Sequence, residues 1–119
     1  MRDFRELKVW QKAHLLALEV YKASAVFPRA EQYGLTSQIR RCAASIAANI
    51  AEGCGRSGDP ELGRFLQIAM GSASELEYLL LLSRDLHFVG DAEYLQLSDS
   101  VTEVKKMLAT FIKKLKADR

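Results

Sequence analysis

Cysteine, histidine and proline are scarce in this 119-residue chain, and each occurs only twice. Cys42 and Cys54 are twelve positions apart on one predicted helix, so their sulfur atoms cannot meet in an intramolecular disulfide. The two histidines belong to no cysteine–histidine cluster with the spacing of metal ligands. The sequence therefore predicts neither a disulfide framework nor a metal centre, and it implies no cofactor.

Long apolar runs and hairpin turns are missing as well. The longest leucine run, 79–82, is far shorter than the roughly 20 residues that cross a bilayer, and the N-terminus has no apolar signal-peptide core. The sequence contains no Asn-Gly or Asp-Gly pair and no sustained alternation of apolar and polar residues, so it predicts no β-hairpin. We expect an all-α, cytoplasmic protein with one domain over residues 1–119 and no membrane contact.

The prolines and glycine-containing turns divide the chain into four predicted helices. These cover residues 6–26, 35–52, 60–86 and a last segment from residue 91 to near the C-terminus. Asp59 and Asp91 are the expected N-caps of the last two helices. Gly53 and Gly55 are expected to end the second helix, because glycine adopts the left-handed conformation at little cost. Short connections imply antiparallel neighbours, so we predict an up-down-up-down four-helix bundle.

Helical spacing assigns a core face to each helix. For the first helix this face is Leu7, Trp10, His14, Ala17, Leu18, Tyr21 and Ala25. For the second it is Leu35, Ile39, Cys42, Ile46 and Ile50, and for the third it is Leu62, Phe65, Ala69, Ala73, Leu76, Leu80 and Ser83. For the fourth it is Tyr94, Leu97, Val101, Val104, Leu108, Phe111 and Leu115. A bundle helix buries one stripe, and the surplus apolar positions are therefore expected at an oligomer interface. The expected interface residues are Val9, Leu16, Val20, Ala44, Ala48, Ile68 and Leu82.

A polar stripe follows one side of the second helix at steps of three or four residues. Its members are Gln38, Arg41, Ser45, Asn49, Glu52 and Arg56. One interpretation is a hydrogen-bonded seam at a helix–helix or subunit contact; another is a site for an anionic ligand bound by Arg41 and Arg56. An enzymatic site around Glu52, Cys54 and Arg56 is a third. No catalytic residue is assigned, because Glu52 has no partner carboxylate nearby in sequence and Ser45 has no evident general base.

Charge is distributed unevenly, although the formal net charge is only +2. Residues 1–56 carry nine basic and five acidic residues, 57–104 carry two and nine, and 105–119 carry six and one. Such a pattern favours polyanion binding or pairing between subunits, while solvated helix faces would also produce it. The candidate nucleic-acid contacts are Arg41, Arg56, Lys105, Lys106, Lys113, Lys114 and Lys116.

Three segments together carry a resemblance to a known family. They are "LKVWQKA" at 7–13, "FPRAEQYGLTSQIRRCAASIAANIAEGCGR" at 27–56 and "RFLQIAMGSASELEYLL" at 64–80. They resemble the four-helix-bundle proteins named after intervening sequences in 23S rRNA genes, and the resemblance covers nearly the whole chain. It implies a bundle fold and a homopentamer, and it implies no enzymatic activity, since the family has no agreed one.

Relatives in this wider family are similar to accessory proteins of diversity-generating retroelements, which contact a reverse transcriptase and nucleic acid. Those accessory proteins are strongly basic, whereas this chain is only mildly so, which lowers the affinity for nucleic acid that we expect. We therefore expect a non-enzymatic oligomeric bundle protein that binds a nucleic acid or acts as an adaptor for a protein partner. The alternative is a structural protein–protein interaction module that binds no nucleic acid.

Overall fold

The computed structural model describes residues 2–118, which form four long helices and no strand. The helices are α1 (Lys8–Ser24), α2 (Leu35–Cys54), α3 (Asp59–Asp85) and α4 (Asp91–Ala117). Two single-turn 3-10 helices, Phe4–Glu6 and Arg29–Glu31, precede α1 and α2. The predicted all-α four-helix bundle is confirmed, with helix ends within about two residues of the expected positions.

Each helix packs against its neighbours along the chain, and α4 returns to contact α1. Within the described residues, α1 does not contact α3 and α2 does not contact α4, so these pairs are diagonal in the bundle. The molecule measures 46 × 23 × 20 Å, and its long axis follows the helices. The contact between α2 and α3 is the most extensive of the four, and that between α1 and α4 is the least extensive.

The core is one cluster of apolar side chains drawn from all four helices and from the connections at Phe27 and Val89. The α2 stripe from Leu35 to Ile50 is buried throughout, as predicted. On α4 the predicted seam is also correct, with its Tyr94 and Phe111 half-buried and with Ile112 as an additional buried position. Burial of a leucine or isoleucine side chain contributes about 1.5–3 kcal/mol, so these stripes supply most of the drive for folding.

Most of the core face predicted for α1 is wrong. Ala17 is buried and Leu7 and Trp10 are half-buried, as expected, but His14 and Ala25 are exposed. Val9, Leu16 and Val20, which we expected at an oligomer interface, are 5%, 0% and 1% exposed and lie in the core together with Ala13 and Ala23. Leu18 and Tyr21, which we expected in the core, are 54% and 46% exposed. The two apolar stripes of this helix lie about a third of a turn apart, and helical spacing alone cannot choose between them. The buried stripe carries the small alanines, which allow α1 to approach α2 and α4 closely.

The glycines at the end of α2 and at the starts of α3 and α4 have roles that differ from the predicted ones. Gly55 is the C-cap of α2 with a right-handed φ of −84°, and Gly53 lies inside the helix. A Cβ atom at Gly53 would lie 2.9 Å from Cβ of Phe65, so this glycine permits the close approach of α3. The N-caps of α3 and α4 are Gly58 and Gly90, one residue before the expected aspartates. Those aspartates lie in the first helical turn, where a negative charge interacts favourably with the helix dipole.

By length and composition, α3 is apolar enough to cross a membrane. Counting uninterrupted apolar runs in the sequence did not reveal this, because Glu75 and Glu77 divide the segment. Core helices of water-soluble proteins pass the same test, and α3 contributes Leu66, Leu76 and Leu80 to the centre of this core.

Candidate binding surfaces

Two members of the polar stripe, Ser45 and Asn49, belong to a group of hydrogen bonds that joins α2 to α3. The hydroxyl groups of Ser45 and Ser72 are 2.9 Å apart, and the thiol of Cys42 donates to the carbonyl oxygen of Ser72 at 2.9 Å. Asn49 is half-buried, and its Nδ2 donates to the carbonyl and hydroxyl oxygens of Ser45 at 2.8 and 2.9 Å. Sequence reasoning identified Ser45 and Asn49 but not their partner Ser72, because the alanine and serine pattern around residue 72 does not distinguish it. These contacts correspond to the helix–helix seam, the first of the interpretations of the stripe.

Arg56 is held by contacts within the chain. Its Nη2 lies 2.8 Å from Oε2 of Glu52, and its guanidinium carbon lies 5.1 Å from the centre of the Phe65 ring. Arg64, which is paired with Glu61 at 3.1 Å, lies 4.6 Å from the centre of the same ring. The hydrogen bond from Arg64 lowers the pKa of the Glu61 carboxyl and raises the pKa of the guanidinium. Two arginines therefore cover one aromatic ring, and each has a carboxylate that offsets its charge.

Arg41 is exposed and donates a hydrogen bond to the hydroxyl oxygen of Ser37 at 3.3 Å. Together with Gln38 and Glu75 it lines a shallow depression of about 200 Å³ above the seam. An anion in this depression would meet the carboxylate of Glu75 as well as the guanidinium of Arg41. This arrangement is less favourable for an anionic ligand than the sequence suggested.

Arg40, not its neighbour Arg41, is the arginine that joins two helices. Its Nε donates to the Ser24 hydroxyl at 2.7 Å, and its Nη2 donates to the carbonyl oxygen of Tyr21 at 3.0 Å. The guanidinium carbon also lies 4.8 Å from the centre of the Tyr21 ring. Carbonyl groups in the last turn of a helix lack partners within it, and Arg40 supplies one for α1. Sequence reasoning missed this role, since the pairing depends on how α1 and α2 are aligned.

The residues of the hypothetical enzymatic site are engaged in structural contacts. Burial raises the pKa of the Cys54 thiol, so that thiol is held in its neutral form. Burial, with a smaller contribution from Glu75, raises the pKa of Cys42 to about 12. His87 lies at the end of α3 opposite to Cys54 and cannot act on it as a base. Within residues 2–118, no three His, Cys, Asp or Glu side chains come together in an arrangement that could hold a metal ion.

The lysines of α4 fall into two groups. Nζ of Lys105 lies 3.0 Å from Oε1 of Glu77 on α3, so this lysine belongs to the contact between α3 and α4. The other four are exposed, and none of them forms an ion pair with another described residue. We call this group the unpaired lysines: Lys106, Lys113, Lys114 and Lys116.

A groove of about 650 Å³ runs between the start of α1 and the C-terminal half of α4. We call it the α1–α4 groove. Its floor contains the half-buried side chains of Leu7, Met107 and Phe111. Its cations, which we call the groove cations, are Arg2, Lys8, Lys106 and Lys114. Arg2 and Lys8 come from the opposite end of the sequence, so only the fold brings these four charges together.

Two apolar surfaces face outward. The α1 outer face consists of Trp10, His14, Leu18 and Tyr21; the Trp10 and His14 rings are stacked, with centres 4.9 Å apart and 7° between their planes. The α2/α3 outer face contains four of the expected interface residues and two further positions. Its residues are Ala44, Ala48, Ile68, Gly71, Tyr78 and Leu82, and the exposed Glu75 lies among the α3 positions at the same helical spacing. Ile68 is 41% and Tyr78 is 58% exposed, and a Cβ atom on Gly71 would meet nothing within 4 Å, so no other helix of the same chain packs closely against this glycine.

These features define an antiparallel four-helix bundle whose distinctive surfaces are apolar or basic, with Arg40, Ser45 and Asn49 of α2 engaged in structural contacts. The profile of the family described as 23S rRNA-intervening sequence protein matches residues 5–110, and the chain belongs to that family.

A crystal structure from Bacteroides thetaiotaomicron has the same fold, with a TM-score of 0.82. It is a protein of unknown function from the S23 ribosomal protein family, 26% identical to this chain, and the match covers 88% of this chain and 95% of that one. No curated protein sequence matches the chain. Neither the family's description nor that of the Bacteroides protein names an enzymatic activity.

Proposed function

We propose that this protein is a non-enzymatic homo-oligomer of the cytoplasm that presents the basic end of α4 to a nucleic acid. The observation that carries the proposal is the set of unpaired lysines, which lie exposed within about three turns of one helix. The resemblance to accessory proteins of diversity-generating retroelements supports a nucleic acid as the partner. Arg41 and Arg56 contribute little to this surface, because Glu75 lies beside the first and Glu52 is paired with the second.

The two outer faces support a ring of subunits. A cyclic oligomer with more than two subunits needs two different surfaces on each subunit, which meet head to tail. The α1 outer face and the α2/α3 outer face meet this need, since α1 and α3 are diagonal and their outward sides point away from each other. The number five comes from the family resemblance.

Assembly also raises the affinity that we expect for a nucleic acid. A single subunit with a net charge of +2 neutralises few phosphates, so its affinity for a nucleic acid is low. Repetition of the basic surface around a ring turns later contacts into intramolecular events, which raises the overall affinity without any new contact.

Binding of a labelled single-stranded RNA, measured over a range of salt concentrations, tests this function. We expect a variant with alanine at all four unpaired lysines to bind more weakly and to show a flatter salt dependence, by roughly 0.7 in log–log slope for each phosphate that the variant no longer neutralises. The variant with Arg41→Ala and Arg56→Ala is the control and should retain most binding. Circular dichroism and sedimentation verify that both variants fold and assemble.

Two results would contradict the proposal. One is an equal decrease of affinity in the lysine and arginine variants. The other is no binding by the wild-type protein at low salt; an intact oligomer would then favour the alternative of a structural protein–protein interaction module.

A further inference from the structure

The α1–α4 groove combines an apolar floor with a cationic rim, a combination that phosphate binding alone does not need. Leu7, Met107 and Phe111 leave apolar surface open to solvent between α1 and α4, the two adjacent helices with the least extensive contact. The guanidinium carbon of Arg2 lies 5.4 Å from the centre of the Phe111 ring and covers one end of the floor. The backbone N–H of Arg2 donates to the carbonyl oxygen of Cys54 at 3.1 Å, which holds this end in place.

The charge of the groove is strongly positive. No groove cation forms an ion pair with another described residue, and Asp118 is the single acidic residue along the lining. A second depression of about 540 Å³ shares Lys8 and Met107 with the groove and extends it along the same two helices. There Lys12 is paired with Glu103 at 2.9 Å, so the excess positive charge is concentrated in the groove.

We propose that the α1–α4 groove binds an acidic amphipathic helix of a partner protein. Along α4 the two depressions extend from Glu103 to Asp118, about 22 Å at 1.5 Å per residue, which matches a partner helix of about 15 residues. Such a helix places apolar side chains at i, i+3, i+4 and i+7 on the floor, and its flanking carboxylates meet the groove cations. This inference goes beyond the proposed function, because its ligand is a protein and its affinity depends on the floor.

A helix fits these observations better than a nucleic acid does. Phosphates would pair with the groove cations but would leave Leu7 and Met107 in contact with water or with the sugar backbone. Burial of apolar surface contributes about 25 cal/mol per Å², which a helix with apolar side chains gains on this floor. A base would need an open aromatic ring for stacking, and Arg2 already covers Phe111, the aromatic ring of the lining. The floor therefore distinguishes the two kinds of ligand, while the cations attract both.

The test uses a fluorescein-labelled synthetic peptide of about 15 residues, with leucines at helical i, i+3, i+4 and i+7 positions and glutamates elsewhere. A peptide with lysine in place of glutamate and a scrambled peptide of equal composition are the controls. Fluorescence anisotropy with the full-length protein should show binding of the acidic amphipathic peptide and at least about tenfold weaker binding of both controls.

Charge variants locate the contact. Lys106→Glu with Lys114→Glu should lower affinity for the acidic peptide by about tenfold or more. Lys113→Glu with Lys116→Glu makes the same change in net charge outside the groove and should have a much smaller effect. Met107→Gln should weaken peptide binding and leave RNA binding unchanged, which separates failure of this inference from failure of the proposed function.

Chemical-shift mapping on the wild-type protein provides a second measurement that does not depend on the stability of any variant. The acidic peptide should shift the amide signals of Leu7, Lys8, Met107 and Phe111 more than those of α2. Absence of binding, equally weakened binding in the two charge variants, or shifts confined to other surfaces would overturn the inference. So would altered sedimentation of the Lys106→Glu, Lys114→Glu variant, because the groove would then be covered by a second copy of this chain.

Discussion

At the scale of single residues, His87 has an unfavourable, left-handed backbone conformation. Its φ of 64° is the only positive value among non-glycine residues of the described chain. The N–H of Phe88 donates to the carbonyl oxygen of Ser83, and the N–H of His87 donates to that of Arg84, both at 2.9 Å. This is the Schellman arrangement, in which the residue at the position of His87 is usually glycine.

We predict that His87→Gly stabilises the protein, because glycine removes the steric cost of the left-handed conformation. The expected gain is about 0.5–1 kcal/mol in the free energy of unfolding, measured by chemical denaturation. His14→Gly is a matched control in the middle of α1, where glycine should instead lower stability by about 0.3–0.5 kcal/mol through helix propensity, and further through loss of the stack on Trp10. If His87→Gly lowers stability, the side chain of His87 makes a contact that stabilises the protein by more than the steric cost of its left-handed backbone conformation.

At the scale of helices, the sequence predicted existence, order and approximate length correctly, because proline, glycine and apolar periodicity act locally. It also identified the buried side of α2, where one stripe of large apolar residues faces a stripe of alanines. On α1 two apolar stripes compete, and packing against α2 and α4 determines which one is buried. As a result Val20, which we expected at an interface, is buried, and Leu18, which we expected in the core, is exposed.

Contacts between helices were less predictable than the helices themselves. The hydrogen bond between Ser45 and Ser72 depends on the alignment of α2 with α3, and the position of Arg40 depends on the alignment of α1 with α2. The groove cations come from both ends of the chain, so no local sequence pattern predicts that they lie close together. Sequence reasoning therefore recovered the lysines of α4 and missed Arg2 and Lys8.

Gly53 tests the closeness of α2 and α3. A methyl group at this position would lie 2.9 Å from Cβ of Phe65 and 3.0 Å from Cδ1 of Leu62. We predict that Gly53→Ala destabilises the bundle by about 1–2 kcal/mol, because overpacking outweighs the better helix propensity of alanine. Thermal unfolding followed by circular dichroism measures the change.

Gly71→Ala is the matched control, since the same substitution there meets nothing within 4 Å in its own chain. It should raise the stability of the subunit by up to about 1 kcal/mol through helix propensity alone. Stabilisation by both substitutions would contradict the close packing of α2 on α3.

At the scale of the whole molecule, the bundle separates three kinds of surface. The basic groove lies where α1 begins and α4 ends, one apolar outer face lies on α1, and the other lies on α2 and α3. The acidic residues of the central part of the chain lie mainly on α3 and the first half of α4, away from the groove cations. Such a separation lets assembly and ligand binding use different parts of one small subunit.

Leu16 and Leu18 separate folding from assembly on a single helix. Leu16 is fully buried, and Leu16→Ala should cost about 2–5 kcal/mol of stability at any protein concentration. Leu18 is 54% exposed, so Leu18→Glu should leave the subunit helical and should shift its sedimentation toward the monomer. A Leu18→Glu variant that sediments like the wild type would remove the α1 outer face from the proposed interface.

Mixing two variants tests whether the interface is head to tail. Leu18→Glu blocks the α1 outer face, and Ile68→Glu blocks the α2/α3 outer face, so each variant alone should be monomeric. In a head-to-tail ring, each contact joins the α1 outer face of one subunit to the α2/α3 outer face of the next. An equimolar mixture therefore retains one intact pair of faces, and it should form heterodimers that cannot grow into rings. Sedimentation velocity with one variant labelled measures this outcome. A homodimer of either variant alone would instead indicate that like faces meet in an isologous contact, which closes as a dimer and would exclude a simple five-membered ring.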